Sequence, residues 1–227
     1  MFVISIDGAC RRNGKPDCVA AGGVLIRDYD RRGCSVHTET RSACEFKSTN
    51  QRGELLALRI AMNHILAAGQ PAQIITDSEY LFNTMAKEWF KSWQSAGWVT
   101  STGTPVKNRD LWMDIVATYT KCLDADIDIV FYHIKGHCIP FGKVTADDSL
   151  TADPTGKDLW CRVFNKYEEV CDTSKRAQLD HANELSARNN GFKLDEATLQ
   201  RFVVANVVAD AVATKCVEEA DLIMHRQ

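Results

Sequence analysis

The first 41 residues hold three strand-like runs with little more than turns between them, and this limits the fold more than any other feature. Phe2 to Asp7 (FVISID) alternates as a strand does, ends on a carboxylate and turns through Gly8. Val19 to Arg27 and Gly33 to Arg41 read as two more strands, joined around Asp28 to Arg32. Consecutive strands this close leave no room for long crossovers and predict an antiparallel meander. The pattern then changes. Asn50 to Ala68 has helical periodicity, with Leu55, Leu58, Met62, Ile65 and Leu66 as its buried stripe and Gly69 and Pro71 marking its end. A short run, QIIT, leads to Asp77 and a second helix, and Asn108 to Leu123 reads as a later helix before the strand Ile127 to His133. Strands alternating with helices predict an α/β sheet whose later strands are parallel.

Beyond His137 no strand pattern returns, and Asp158 to Val170, Ser174 to Asn189 and Asp195 to Met224 all look helical. Between Cys138 and Ala205 there are nine basic and eleven acidic side chains, a balance that argues against a dedicated nucleic-acid-binding module there. The whole chain of 227 residues carries a formal charge of −3 with its charges mixed, so any surface for a polyanion has to be local. Nine cysteines form an odd number with no CxxC pair, which fits a reducing, cytoplasmic setting. The longest apolar run, near Phe202 to Val208, is far short of the roughly 20 residues needed to cross a bilayer, so a soluble protein without membrane association is expected.

The chemistry-bearing residues are acids. Asp7 and Asp77 each sit where an apolar strand ends, the usual place for sites in open α/β sheets. Glu54 shares a helical stripe with Leu58, Ala61 and Ile65, where a carboxylate is costly unless something cationic meets it. Hard oxygen ligands without His/Cys spacing favour magnesium or manganese over zinc. Two such ions about 4 Å apart would stabilise the attacking and leaving oxygens of a phosphodiester displacement. Plainer readings compete: turn or cap acids for Asp7 and Asp77, an ion pair with Arg52 or Arg59 for Glu54, and for Asp210 a solvated helix edge shared with Asn206 and Thr214.

In these stretches the chain closely resembles the type 1 ribonuclease H family, in particular bacterial members with a helical handle. The matching segments are IDGACRRNG (6–14), STNQRGELLAL (48–58), TDSEYL (76–81), KEWFKSWQSAGW (87–98), PVKNRDLW (105–112) and HIKGH (133–137). The resemblance implies a ribonuclease H-like fold, a five-stranded mixed sheet with three antiparallel strands first, flanked by helices. It implies hydrolysis of the RNA strand of RNA/DNA hybrids, largely independent of sequence, leaving 5′-phosphate and 3′-hydroxyl ends. Asp7, Glu54, Asp77 and, in NVVADAVA, Asp210 correspond to carboxylates holding two Mg²⁺ ions, with Mn²⁺ as a substitute. His137 corresponds to a mobile histidine that assists proton transfer or product release, a role that suits an imidazole titrating near neutral pH. A zinc site from His133, His137 and Cys138 lacks a completing ligand.

The same resemblance assigns substrate contacts to Asn13, Asn50 and Gln51 in the hybrid's minor groove, to Thr49 and Asn108 in a phosphate pocket, and to Glu79, Trp93, Trp98 and Lys107. Two departures weaken the expected contact: Gln94, Ser95 and Ala96 thin the handle's positive charge, and Glu79 stands where the family often has glutamine. The largest departure lies further on. The last aspartate ordinarily follows the histidine closely, whereas positions 138–209 separate His137 from Asp210. This divides the chain into a core at 1–137 with a handle near 87–107, a helical insertion at 138–205 open to a protein partner, and a C-terminal helix at 206–227. An alternative alignment through HANELSAR (181–188) puts Asn183 in the fourth position; Asp210 is favoured because it supplies the charge and the upstream Asn206. With the first strand beginning at Phe2, no separate N-terminal hybrid-binding domain and no processivity are expected. A DNA-cutting nuclease of the same superfamily and a catalytically silent docking module are the competing readings. Oligomeric state is not readable from the sequence.

Overall fold

The computed structural model describes residues 1–136 and 196–225. Five strands form one sheet in the order β3-β2-β1-β4-β5. The meander comes first: β1 (Phe2–Arg11), β2 (Val19–Tyr29) and β3 (Ser35–Phe46) pair antiparallel, each running several residues beyond its sequence-predicted end. Helix α1 (Asn50–Ala68) crosses over to β4 (Ala72–Thr76), which lies parallel to β1. Two short helices, α2 (Glu79–Ala86) and α3 (Trp89–Ser95), then α4 (Arg109–Asp124), lead to β5 (Ile129–His133), parallel to β4. A single long helix, α5 (Glu196–Met224), completes the described structure.

Helices α1 and α2 begin on local side-chain caps. The Thr49 hydroxyl accepts the Arg52 amide at the start of α1, and Gly69 closes it in the left-handed conformation with φ 63°. Ser78 caps α2 through the Leu81 amide. Asn108, predicted as the first residue of α4, instead precedes it with φ 55°.

The two sheet faces are covered differently. Phe2, Ile4, Ile6, Val24 and Ile26 meet α1 and, beyond it, α4 in the main core. On the opposite face Ile75, Tyr132 and Ile134 meet Leu199, Phe202 and Val203 of α5, and Leu25 meets Ala205, Val208 and Val212. The tandem glycines of β2 explain how both helices sit so near the sheet. A Cβ on Gly22 would strike α1 at Ala57 and at the Gly53 carbonyl, 2.5 Å away; a Cβ on Gly23 would strike α5 at Ala209 and Ala213. Alternation along the strand points one glycine to each face.

Residues 196–205 thus belong to the same helix as 206–224, so the boundary drawn at residue 205 from sequence falls inside a packed element. The rest of the expected insertion, including Asn183, lies outside the described residues, as does His137.

Candidate active site

The acids meet at the carboxyl ends of the central strands. The parallel register of β1 and β4, which ends at Ser5↔Ile75, sets Asp7 of β1 beside Asp77, one residue past the end of β4. Asp7 is only 9% exposed. Its Oδ1 accepts the Gly8 amide at 2.6 Å and its Oδ2 accepts Asn206 Nδ2 at 3.4 Å. Asp77 lies under the turn after β5, where any side chain on Gly136 would collide with its carboxylate. Glu54 arrives from the other face of the sheet, on α1. It reaches the strand end because Gly8 has no side chain: a Cβ there would lie 2.5 Å from Glu54 Cγ. Asp210 is supplied by α5, one turn beyond Asn206.

The electrostatics follow from crowding like charges in a dry place. Burial raises the Asp7 pKa well above the ordinary carboxylate range, and the charges of Asp77, Asp210 and Glu54 add to it; the Gly8 amide opposes them. Burial likewise pushes Glu54 up to about 7, with Asp77 contributing and the Ser78 hydroxyl pulling the other way. Asn50 donates to Glu54 Oε1 at 3.3 Å, whereas Oε2 is buried with no hydrogen-bond partner. The ion pairs that would make Glu54 an ordinary structural residue belong to others. Arg52 bridges Glu45 (2.6 Å) and Asp110 (2.7 Å), and Arg59 faces Asp114. A buried carboxylate oxygen without a donor, beside three more acids, has the donor chemistry of a hard-cation site. Among the described residues no three His, Cys, Asp or Glu side chains stand close enough together to hold an ion by themselves.

Asn206 is 4% exposed and bonded to Asp7, so the Asn206–Asp210–Thr214 stripe is not a uniformly solvated edge; only Thr214 is exposed.

The expected substrate residues fall into two groups. Thr49, Asn50 and Gln51 lie at the start of α1, and Asn108 Nδ2 meets Gln51 Oε1 at 3.5 Å across the gap to α4. The Arg52 bridge to Asp110 ties these two helix starts together, a role invisible in the sequence because its partners lie 7 and 58 positions away. Asn13 is exposed on the β1–β2 turn, Lys107 is exposed before α4, and Glu79 is exposed on α2. The handle tryptophans are mostly structural. Trp98 is 9% exposed within the main core, and Trp93 stacks edge-on against Trp112 at 5.7 Å, which itself donates to Tyr80. Trp89, 42% exposed, is the handle aromatic on the surface.

A sequence model of the RNase H family matches residues 1–153. Ribonuclease H of Cyanothece sp. is 34% identical over 155 residues, covering 68% of this chain and 89% of that enzyme. Ribonuclease H of Thermus thermophilus is 35% identical over 133 residues, covering 58% of this chain and 70% of that enzyme. Among solved structures, the prototype foamy virus protease-reverse transcriptase aligns with a TM-score of 0.50 and 25% identity over 75% of this chain and 21% of the viral protein. With its three antiparallel strands, two parallel ones and an acid from each covering helix at the strand ends, the chain belongs to the ribonuclease H family.

Proposed function

We propose that this protein is an endoribonuclease that hydrolyses the RNA strand of RNA/DNA hybrids, with two divalent ions, Mg²⁺ or in its place Mn²⁺, held by Asp7, Glu54, Asp77 and Asp210. The observation that carries the reading is the convergence of these four acids, from β1, the end of β4 and the helices on both faces, beside a buried Glu54 oxygen that no donor among the described residues satisfies. Bound, the ions would activate water for attack on a phosphodiester and neutralise charge on the leaving oxygen. The chain's residues do the rest. The Gly8 amide and Asn206 fix both Asp7 oxygens, and Asn50 orients Glu54. The family match ends at residue 153, so the assignment of Asp210 over Asn183 rests on its charge acting on Asp7 and on its neighbour Asn206.

Thr49, Gln51 and Asn108 gather neutral polar groups at the starts of α1 and α4, suited to gripping a backbone phosphate, while Asn50, beside Glu54, and Asn13, on the β1–β2 turn, offer amides to the hybrid's 2′-hydroxyl groups. Glu79 adds a negative charge near Asp77 that weakens substrate approach. His137 serves proton transfer or product release, and the products carry 5′-phosphate and 3′-hydroxyl ends. The free thiols of Cys10, Cys18, Cys34, Cys44, Cys122 and Cys216 fit a reducing, cytoplasmic setting, and no described helix is long and apolar enough to cross a membrane.

The test is a panel of labelled RNA/DNA hybrid, double-stranded DNA, Holliday junction and double-stranded RNA, with Mg²⁺, with Mn²⁺ and with chelator, beside Asp77→Asn. Hybrid is expected to be cut only with metal. Preferred cutting of DNA would transfer the protein to the DNA nucleases of the superfamily, and binding without cutting in either metal would make it a docking module. Asp210→Asn is expected to abolish activity while Asn183→Ala leaves it near wild type; the reverse moves the fourth ligand.

A further inference from the structure

α5 lies along β1 and is joined to it by polar side chains near Asp7, through Asn206, and at the far end, through Asp221; only the first belongs to the acid cluster. The second is Asp221, 6% exposed, which receives the Arg12 guanidinium through both terminal nitrogens (Nη1 at 3.1 Å) and Arg11 Nε at 3.1 Å, with His225 3.5 Å away. Arg12 also grips the β1–β2 turn, through Asp17 Oδ2 at 2.7 Å and the Asp17 carbonyl at 2.9 Å. Its backbone has φ 55°, a conformation that disfavours an arginine and ordinarily goes to glycine or asparagine. A residue held there against its preference, with its side chain in a two-pronged bond to a buried acid, is fixed by what the side chain does.

The spacing shows what is being fixed. From Asn206, bonded to Asp7, to Asp221 the helix rises about 22 Å. From Asp7 to Arg11, the end of β1, the strand advances about 13 Å, and Arg12 with its long side chain spans the remainder. Between these points Gly23 lets the helix lie directly on the sheet, with Leu25 packed against Ala205, Val208 and Val212 and the Cys216 thiol hydrogen-bonded to Ser42 and Cys44 of β3. Apolar contact is non-directional and sets register only weakly; the polar contacts add direction, and the two-pronged Arg12–Asp221 bond is a charged one.

We propose that Arg12 and Asp221 are a positioning pair, a register lock that holds α5 on β1 so that Asp210 stands opposite Asp7 for divalent-cation binding. This rests on the reading of Asp7 and Asp210 as metal-holding residues. Neither Arg12 nor Asp221 touches the acids, and their contribution is alignment of Asp210.

Mn²⁺ binding to the full chain, measured calorimetrically for wild type, Arg12→Ala, Asp221→Ala, the double variant, Asp7→Asn and Ile115→Val, tests this. Each single lock variant is expected to bind Mn²⁺ about ten-fold more weakly, the low end for groups that orient a metal ligand. The double variant should be no worse than Asp221→Ala, which already removes the shared bond together with the Arg11 contact to the same carboxylate. Ile115→Val destabilises the other core without touching α5 and should bind as wild type does. Losses that multiply in the double variant, or an equal loss in Ile115→Val, overturn the lock. So does wild-type affinity in Arg12→Ala and Asp221→Ala while Asp7→Asn loses binding. If Asp7→Asn itself binds normally, the metal reading fails and the lock falls with it.

Discussion

At the scale of single residues, the acids carry a thermodynamic signature that can be measured without substrate. Glu54 titrates near 7 in the fold against an ordinary 4.5. Between those values the folded, metal-free protein keeps a proton that the unfolded chain has released, so the folded state binds more protons and stability falls as pH rises through the window. The stabilising protonation is fully present below about 4.5 and gone above about 7, a span worth about 3 kcal/mol if fully expressed. Asp7 shifts in the same direction. His64, whose pKa burial lowers, slopes the other way, so the comparison must be made within variants. Denaturant unfolding in chelator is expected to show wild type losing stability from about pH 5.5 to about pH 8 and Glu54→Gln losing markedly less. At the higher pH, Mg²⁺ should raise the melting temperature of wild type more than at the lower, and should not raise that of Asp7→Asn. A wild-type slope equal to that of Glu54→Gln would mean that Glu54 is ionised throughout. All three core acids were legible in the sequence because each closes a strand or interrupts an apolar stripe. Glu54's freedom from cations was not, because Arg52 and Arg59 lie close in sequence and only the fold shows them turned to Glu45, Asp110 and Asp114.

At the scale of elements, two contacts decide where side chains end up. Gly23 admits α5 to the sheet, and Gly23→Ala must push the helix out against backbone atoms that cannot yield. The expected cost is about 1–3 kcal/mol of stability, as for overpacked cores, with a disproportionate loss of activity because Asn206 and Asp210 move with the helix. Calorimetric melting beside kcat under saturating Mg²⁺ separates the two effects. The Arg52 bridge joins the starts of α1 and α4. Because its acidic partners are well exposed, Arg52→Ala should cost only about 1 kcal/mol. Its main effect should be on substrate binding, a several-fold rise in KM with kcat nearly kept, as Gln51 and Asn108 lose their mutual position. Equal falls in kcat and kcat/KM would instead tie the bridge to the acids. Helix α1 was readable to its ends, since Thr49 and Gly69 are strong local stop signals. The start of α4 was misplaced by one residue because Asn108 takes a left-handed conformation that periodicity does not report. The resemblance assigned substrate contacts to Trp93 and Trp98, and both pack against Tyr80, Trp112 and the main core, as most tryptophans of such a handle are expected to do.

At the scale of the molecule, the sheet is a two-sided object, and α5 is what covers its second side. Without it Leu25, Ile75, Tyr132 and Ile134 lose their apolar neighbours Val208, Phe202 and Val203. A chain ending at residue 195 is therefore expected to bind the dye ANS and to lose its cooperative melt, rather than to persist as a folded core lacking one ligand. A sharp melt in that truncation would show the 1–136 core to be self-sufficient.

The sequence by itself determined the order of strands and helices, the antiparallel start and the parallel continuation, because each is written in short-range periodicity and in turn residues; it singled out Asp7, Glu54 and Asp77 as candidates and left their role open until the family resemblance was added. The fourth acid and its supports depended on the tertiary structure. Asp210 lies far along the chain from Asp7, and their relation exists only because α5 lies on β1, with Gly23 beneath it and Arg12 and Asp221 at its far end. Close approach, register and the sharing of ion pairs are properties of elements packed together, and no local pattern of residues records them.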